Sequence, residues 1–200
     1  MTTTRSLAIF ILANVCLFMM ISTSIAQFII DTNGEPVEEG EKYFIWPAII
    51  HSAGSLSLDL KNGSCPLNVV FDNPETVVLI PFVSHDEDDV RLNSDLRIQF
   101  IASTTCGQST DWRLGERYAT SGRRLIITGR DDGTVGSFGN FFRIVETGVA
   151  TIYYIEWCPR EVCPDCMLEC GAVGIIHENG KTLLALTLDG GGIPVMFQKS

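Results

Sequence analysis

The residues best suited to a chemical role form one short stretch in the middle of the chain, Asn93 to Phe100. Within it Arg97 stands between Leu96 and Ile98, so an extended backbone would turn the arginine to the face opposite its two apolar neighbours. An arginine presented to solvent in this way has the shape of a substrate for a protease whose specificity pocket ends in a carboxylate. The same alternation is typical of a half-buried strand whose polar face meets water. These eight residues alone leave both interpretations open.

Catalysis by the chain itself has little support in the sequence. The three histidines, His51, His85 and His177, fall in turn or strand settings with no recognisable nucleophile motif. The glycine run 190–192 does not open a helix after a strand, so it is interpreted as a turn and not as a phosphate-binding loop. Carboxylate pairs for glycoside hydrolysis depend on separation in space, which a sequence does not give. We predict a protein that is not an enzyme and that needs no cofactor or metal.

The first 26 residues have the form of a secretory signal peptide. Arg5 gives a positive start, residues 7–21 are almost wholly apolar, and Ser24-Ile25-Ala26 places small residues where a signal peptidase cleaves. The apolar run is short for a membrane span, and no later run approaches the required length. We therefore predict a secreted protein, extracellular or vacuolar, with one mature domain at 27–200 and no membrane contact.

The chain is acidic, with a formal net charge of −10 at pH 7. No cluster of lysine and arginine remains that could follow a phosphate backbone. Nucleic acid is therefore not an expected partner, and the charge is interpreted as a solvated exterior.

The cysteines indicate disulfide bonds. Cys16 would leave with the signal, and an even number of cysteines in an oxidising compartment predicts three disulfides, although six cysteines allow 15 pairings. A zinc site at Cys163-x-x-Cys166 is the less favoured alternative, because no histidine lies nearby. The six are Cys65, Cys106, Cys158, Cys163, Cys166 and Cys170.

Short apolar runs separated by turn residues predict an all-β fold, because no window of a dozen residues has a convincing helical period. Similar strand pairs recur at intervals of about 55 residues, which favours a threefold barrel over a two-sheet sandwich. They begin at Tyr43, Leu96 and Tyr153. The predicted core contains Ile45, Leu58, Val70, Phe100, Phe142, Ile155 and Ile176.

The N-terminal part carries the pattern Ile29-x-Asp31-x-x-Gly34-x-x-Val37-x-x-x-x-x-Tyr43-x-Ile45. This pattern resembles the signature of the plant Kunitz-type (soybean trypsin inhibitor) family, in its miraculin-like branch. The resemblance extends from Phe28 to the final strand, which ends at Lys199. It implies a β-trefoil of about twelve strands, acting as a protease inhibitor in plant defence.

The resemblance also implies roles for particular residues. It pairs Cys65 with Cys106, Cys158 with Cys170, and Cys163 with Cys166. The sequence Ser94-x-x-Arg97-Ile98-x-Phe100-Ile101-Ala102 has the form found around the reactive bond of trypsin-inhibiting members. It therefore implies a monomer that inhibits trypsin-like serine proteases by substrate mimicry. The implied reactive bond is Arg97–Ile98, in a loop of Ser94, Asp95, Leu96, Arg97, Ile98 and Gln99.

Two further positions complete the expectation. Glu39 takes the place of an asparagine that braces the reactive loop in the resembled inhibitors, and an ionised carboxylate accepts hydrogen bonds without donating them. Asn62 begins the glycosylation sequon Asn62-Gly63-Ser64. Two alternatives stay open: a non-inhibitory storage or taste-modifying binding protein, and an inhibitor of another hydrolase such as a cysteine protease or an amylase.

Overall fold

The structure is a computed structural model that describes residues 27–49, 54–59, 65–83, 88–118, 121–131, 138–178 and 180–200. The predicted signal segment 1–26 and the sequon at Asn62 lie outside these ranges, as do His51 and His85. Within the described ranges, no helix is long and apolar enough to cross a membrane.

Twelve strands make up the described structure, which confirms the all-β prediction. Their bounds are β1 Tyr43–Pro47, β2 Ser55–Leu58, β3 Val69–Asp72, β4 Val77–Pro81, β5 Leu96–Phe100, β6 Trp112–Arg117, β7 Arg124–Thr128, β8 Arg143–Glu146, β9 Tyr153–Trp157, β10 Gly171–Glu178, β11 Lys181–Thr187 and β12 Val195–Lys199.

Six of these strands close into a barrel. Antiparallel pairs join β1 to β4, β4 to β5, β8 to β9, β9 to β12, and β12 back to β1. The remaining gap, between β5 and the start of β8, is bridged by Leu96 and Phe142, which exchange both main-chain hydrogen bonds at 2.9 and 2.8 Å. Closure leaves β5 paired on both sides, so it is an interior element of the barrel wall.

The other six strands form three hairpins, β2–β3, β6–β7 and β10–β11, which cap one end of the barrel. The third hairpin contacts the first two, because β11 pairs with both β3 and β7. Their meeting point is a small apolar cluster of Val70, Leu125, Leu183 and Ala185, with each hairpin contributing at least one residue. A six-stranded barrel capped by three hairpins is a β-trefoil, as predicted.

The threefold repetition is visible in the burial of β1, β5 and β9, the first strands of the three units. All three have the same alternation of buried and half-buried residues over five positions. The second position of each strand faces outward and is occupied by Phe44, Arg97 and Tyr154, respectively. Arg97 therefore occupies, in the second unit, the outward-facing position that Phe44 and Tyr154 occupy in the first and third units.

The core follows the prediction closely. Of the seven predicted core residues, all except Ile176 are buried, and Ile176 packs half-buried against the cap cluster. Trp112 is fully buried, and its ring centroid lies 5.9 Å from those of both Phe100 and Phe142. These large rings fill the barrel where its wall is closed, which fixes the start of β8 against β5.

The structure contains three disulfides, Cys65–Cys106, Cys158–Cys170 and Cys163–Cys166, in the pairing implied by the family resemblance. The first links positions 41 residues apart, and a closure of this size stabilises a fold by about 4 kcal/mol on the chain-entropy model. The other two both lie in the connection between β9 and β10. That connection is therefore a short loop that is cross-linked twice.

Candidate functional site

In the stretch predicted as a reactive loop, Ser94–Gln99, only Ser94 and Asp95 lie outside a strand. From Leu96 onward it is strand β5, in register with β4 so that Arg97 lies opposite Ile80. Leu96 and Ile98 have no exposed area, because both point into the barrel. A bond that a protease attacks must reach its active site as a free extended chain, but this one is built into the wall of a barrel.

The guanidinium of Arg97 is already engaged within the protein. Its Nη1 lies 3.3 Å from Oδ1 of Asp111, a side chain with no exposed area, and only 26% of the Arg97 side chain is exposed. Arg130 reaches the other oxygen of Asp111 at 3.0 Å, and the Ser109 hydroxyl donates to that same oxygen at 2.5 Å. Arg97 would have to leave this buried carboxylate to enter the pocket of a protease.

Arg97 is therefore only partly presented to solvent, which weighs against Arg97–Ile98 as the reactive bond. The polar face of β5 meets water, as the alternation of Leu96 and Ile98 with Arg97 allowed. The sequence already favoured a strand position, because the internal repeat aligns Arg97 with Phe44 and Tyr154 on two other strands.

Asp95, another residue of the predicted loop, is a buried anchor for a different segment. One of its oxygens, Oδ2, accepts hydrogen bonds from the peptide N–H groups of Arg160, Glu161 and Val162 at 2.8, 2.6 and 3.0 Å. Its other oxygen lies 3.5 Å from Nε of Arg143. Charge-assisted bonds of this kind are roughly twice as strong as neutral ones, so Asp95 fixes the beginning of the β9–β10 loop.

Glu39 lies beside the connection between β4 and β5 and contacts it through its main chain. Its peptide N–H donates to the carbonyl oxygen of Asp88 at 2.6 Å, and that of Gly40 donates to Leu79 at 3.2 Å. Any residue at position 39 other than proline could make the first of these bonds. Glu39 itself thus supports the connection at Asp88, well before Arg97 in the chain.

Two buried tyrosines hold the N-terminal segment in which Glu39 lies. The Tyr153 hydroxyl accepts a bond from the peptide N–H of Ile30 at 2.8 Å and lies 3.3 Å from the carbonyl oxygen of the same residue. The Tyr43 hydroxyl accepts from the N–H of Glu38 at 3.0 Å. Burial raises the pKa of both phenols, and these hydrogen bonds partly offset the rise.

Sequence reasoning treated the β9–β10 loop, between Cys158 and Cys170, only as a disulfide framework. In the structure it is a presented surface with two prominent side chains, those of Arg160 and Met167. The Arg160 side chain is exposed, but its peptide N–H and the next two all point inward to Asp95. A substrate needs these groups free to pair with the protease, so Arg160 is not placed as the first residue of a scissile bond.

Potential metal ligands do not cluster among the described residues. Those residues include no group of three or more histidine, cysteine, aspartate or glutamate side chains arranged to hold a metal ion. His177 is exposed on β10, where its ring nitrogen Nδ1 lies 3.1 Å from the Thr182 hydroxyl. Its setting in this part of the structure is that of a surface histidine.

The barrel of six strands, capped by three hairpins, places the protein in the β-trefoil class. A family model described as "Trypsin and protease inhibitor", that of the legume Kunitz proteins, matches residues 29–199. The chain belongs to this family of protease inhibitors, which are not enzymes.

Individual relatives agree with the family assignment. The chain is 61% identical to Kunitz type trypsin inhibitor 104 of Medicago truncatula over 98% of both chains, and 62% identical to Kunitz type trypsin inhibitor 111 with the same coverage. Among solved structures it is similar to the potato Kunitz-type cysteine protease inhibitor PCPI-3. That comparison has a TM-score of 0.74 and 28% identity, and covers 88% of this chain and 98% of the other.

Proposed function

We propose that the protein inhibits serine proteases of the trypsin class by substrate mimicry. The observation that carries this proposal is the identity of 61 and 62%, over nearly the full length, to two relatives named as Kunitz type trypsin inhibitors. The scaffold supports it, because a closed barrel with cross-linked loops loses little conformational entropy on binding. An interface of about 1,600 Å² can then bind tightly.

Arg97–Ile98 is not retained as the reactive bond in this proposal. Arg97 is committed to Asp111, and both neighbouring side chains lie in the core. Mimicry of a trypsin substrate therefore uses a bond outside β5. Glu39 and Asp88 mark the supported base of the β4–β5 connection, which makes that connection the first region to search.

Titration of trypsin with the purified mature protein tests the proposal. We expect trypsin activity to fall linearly to zero at one inhibitor per enzyme, as for a tight complex with a monomer. Incubation with a trace of trypsin at acid pH, followed by N-terminal sequencing, should then identify a single cleaved bond. Full trypsin activity in the presence of a large molar excess of inhibitor would contradict the proposal.

A cysteine protease is the second candidate target, because the potato protein at 28% identity is named as an inhibitor of that class. Papain in the same titration separates the two candidates. Loss of papain activity with full trypsin activity would favour the second. Retention of both activities would favour the non-inhibitory storage or taste-modifying alternative.

The secretory route is part of the same proposal. We expect the mature protein to begin at Gln27, because the small residues before it suit signal peptidase. Mass spectrometry of protein purified from the secretory pathway checks this boundary and also shows whether Asn62 carries a glycan.

A further inference from the structure

The five residues Cys166–Cys170 run from one clustered disulfide to the other. Cys166 closes a turn, because its peptide N–H donates to the carbonyl oxygen of Cys163, and the four residues after it make no turn and belong to no sheet. Exposure alternates along the five residues, with Met167 and Glu169 exposed and the other three half-buried. A period of two is the signature of an extended chain, which is also the conformation in which proteases bind their substrates.

The main chain of this segment is free to pair with another molecule. Among the described residues, the peptide groups of Met167, Leu168 and Glu169 have no main-chain hydrogen-bond partner. The Met167 side chain is fully exposed, at 102% of its reference area, in a protein where most large apolar side chains are buried. The segment thus presents an unpaired edge and one projecting apolar side chain.

The same segment is anchored on both sides of Met167. Cys166, immediately before it, is bound to Cys163, and Cys170, three residues after it, is bound to Cys158. Leu168 turns the other way and packs against the hydrophobic core. The segment is therefore held extended before any partner arrives, which reduces the entropy lost on binding.

Glu169 gives the segment a further contact with the body of the protein. Its Oε2 lies 2.7 Å from Nη2 of Arg117 at the end of β6. Both side chains are more than half exposed, so this pair orients the segment without contributing much to stability.

We propose that Met167–Leu168 is a second reactive bond, directed at serine proteases whose specificity pocket is a deep apolar slot, as in chymotrypsin. Methionine suits such a slot because its side chain is unbranched, flexible and uncharged. It does not suit a pocket that ends in a carboxylate. The site therefore goes beyond the proposed inhibition of trypsin and does not depend on it.

The chemistry expected at this bond is reversible acyl transfer. The protease serine Oγ forms an ester bond with the Met167 carbonyl carbon, the Met167–Leu168 peptide bond breaks, and the serine proton passes through the protease base to the Leu168 nitrogen. The freed amine stays attached through Cys158–Cys170, since this disulfide links the chain before the cleaved bond to the chain after it. The amine can attack the ester, re-form the peptide bond and return the proton to the serine.

The experiment compares four proteins in titrations of chymotrypsin and of trypsin: wild type, Met167→Glu, Met167→Lys and Val149→Glu. Val149 is the matched control, because it is an exposed apolar side chain in a different loop and receives the same charge. Melting temperatures of all four proteins establish that they fold equally well.

Wild type and Val149→Glu should inhibit chymotrypsin equally, whereas both Met167 variants should lose at least about tenfold in affinity, as expected for a central anchor. Met167→Lys should gain a trypsin-binding site, and chymotrypsin at acid pH should cut the wild type at Met167–Leu168 alone. The proposal is overturned by a wild type that leaves chymotrypsin active, by Met167→Glu matching wild type, or by cleavage at another bond. Inhibition of chymotrypsin without inhibition of trypsin would reject the proposed trypsin specificity and leave this site standing.

Discussion

Asp95 and Glu161 hold each other through reciprocal hydrogen bonds across 66 residues of sequence. The peptide N–H of Asp95 donates to Oε2 of Glu161 at 2.7 Å, and the peptide N–H of Glu161 donates to Oδ2 of Asp95 at 2.6 Å. Because Asp95 immediately precedes β5 and Glu161 follows β9, the pair joins the second unit of the trefoil to the loop of the third. Each side-chain carboxylate accepts a hydrogen bond from the peptide N–H of the other residue.

Asp95→Ala should destabilise the fold by about 3 kcal/mol or more, because three peptide N–H groups lose their buried acceptor and the nearby Arg143 loses its ion-pair partner. Urea unfolding measures the change. Asp165→Ala, which removes an exposed carboxylate from the same loop, is the control and should change stability by less than about 0.5 kcal/mol. Equal stability of the two variants would contradict the anchoring role of Asp95.

Arg97→Ala should lower stability and leave trypsin inhibition intact. The variant removes one of two arginines from the buried Asp111, a change expected to cost about 1–3 kcal/mol. Its inhibition constant for trypsin should stay within about twofold of wild type, well below the loss expected at a binding hot spot. A large loss of inhibition at unchanged stability would restore Arg97–Ile98 as the reactive bond.

Tyr153→Phe should make the stability of the protein less sensitive to alkaline pH. Burial raises the pKa of Tyr153 above its ordinary value of 10.0, so the folded protein keeps the phenolic proton where the unfolded chain has lost it. This contribution is complete below pH 10 and disappears as the pH rises through the raised pKa. Unfolding free energies measured between pH 8 and pH 11 should fall less steeply in the variant. An identical decline would contradict the prediction.

The same substitution tests the hydrogen bonds between the Tyr153 hydroxyl and the main chain of Ile30 at neutral pH. Loss of the hydroxyl leaves the peptide group of Ile30 without its partner, which should cost about 1–2 kcal/mol. Hydrogen exchange of the Ile30 amide should accelerate in Tyr153→Phe. An unchanged exchange rate would show that the bond does not hold the N-terminal segment.

Removal of Cys65–Cys106 by the double substitution Cys65→Ala and Cys106→Ala should cost about 4 kcal/mol. The effect should come mainly from a less restricted unfolded chain, so the unfolding rate should change less than the folding rate if the loop closes early in folding. Stopped-flow refolding and unfolding in urea measures both. A stability equal to that of wild type would contradict a structural role for this disulfide.

Much of the fold could be predicted because a closed barrel imposes one simple rule on each of its strands. Residues alternate between an apolar interior and a wet exterior, and that alternation marks Ile45, Phe100 and Ile155 as core residues. The recurrence of similar strands indicated three units. Ile176 is half-buried because it lies on a cap hairpin, outside the barrel interior.

The candidate site was harder to predict, because a strand and a reactive loop are both extended chains with alternating side chains. The arginine at position 97 suggested a side chain that would enter the specificity pocket of a protease. Its buried partner, Asp111, lies 14 residues later in the sequence. The contact of Asp95 with residues 160–162 spans two trefoil units, and no local pattern encodes it. The exposure of Met167 depends on how two disulfides fold one short loop.

The pairing of β1 with β12 places the first and last strands of the mature chain side by side. Tyr43 lies opposite Lys199, and the peptide N–H of Thr32 donates to the carbonyl of Phe197. A linker could therefore join the end of β12 to the segment that precedes β1, and new termini could be opened at the turn around Gly148. Such a circular permutant would keep every barrel pair while changing the order in which the three units leave the ribosome.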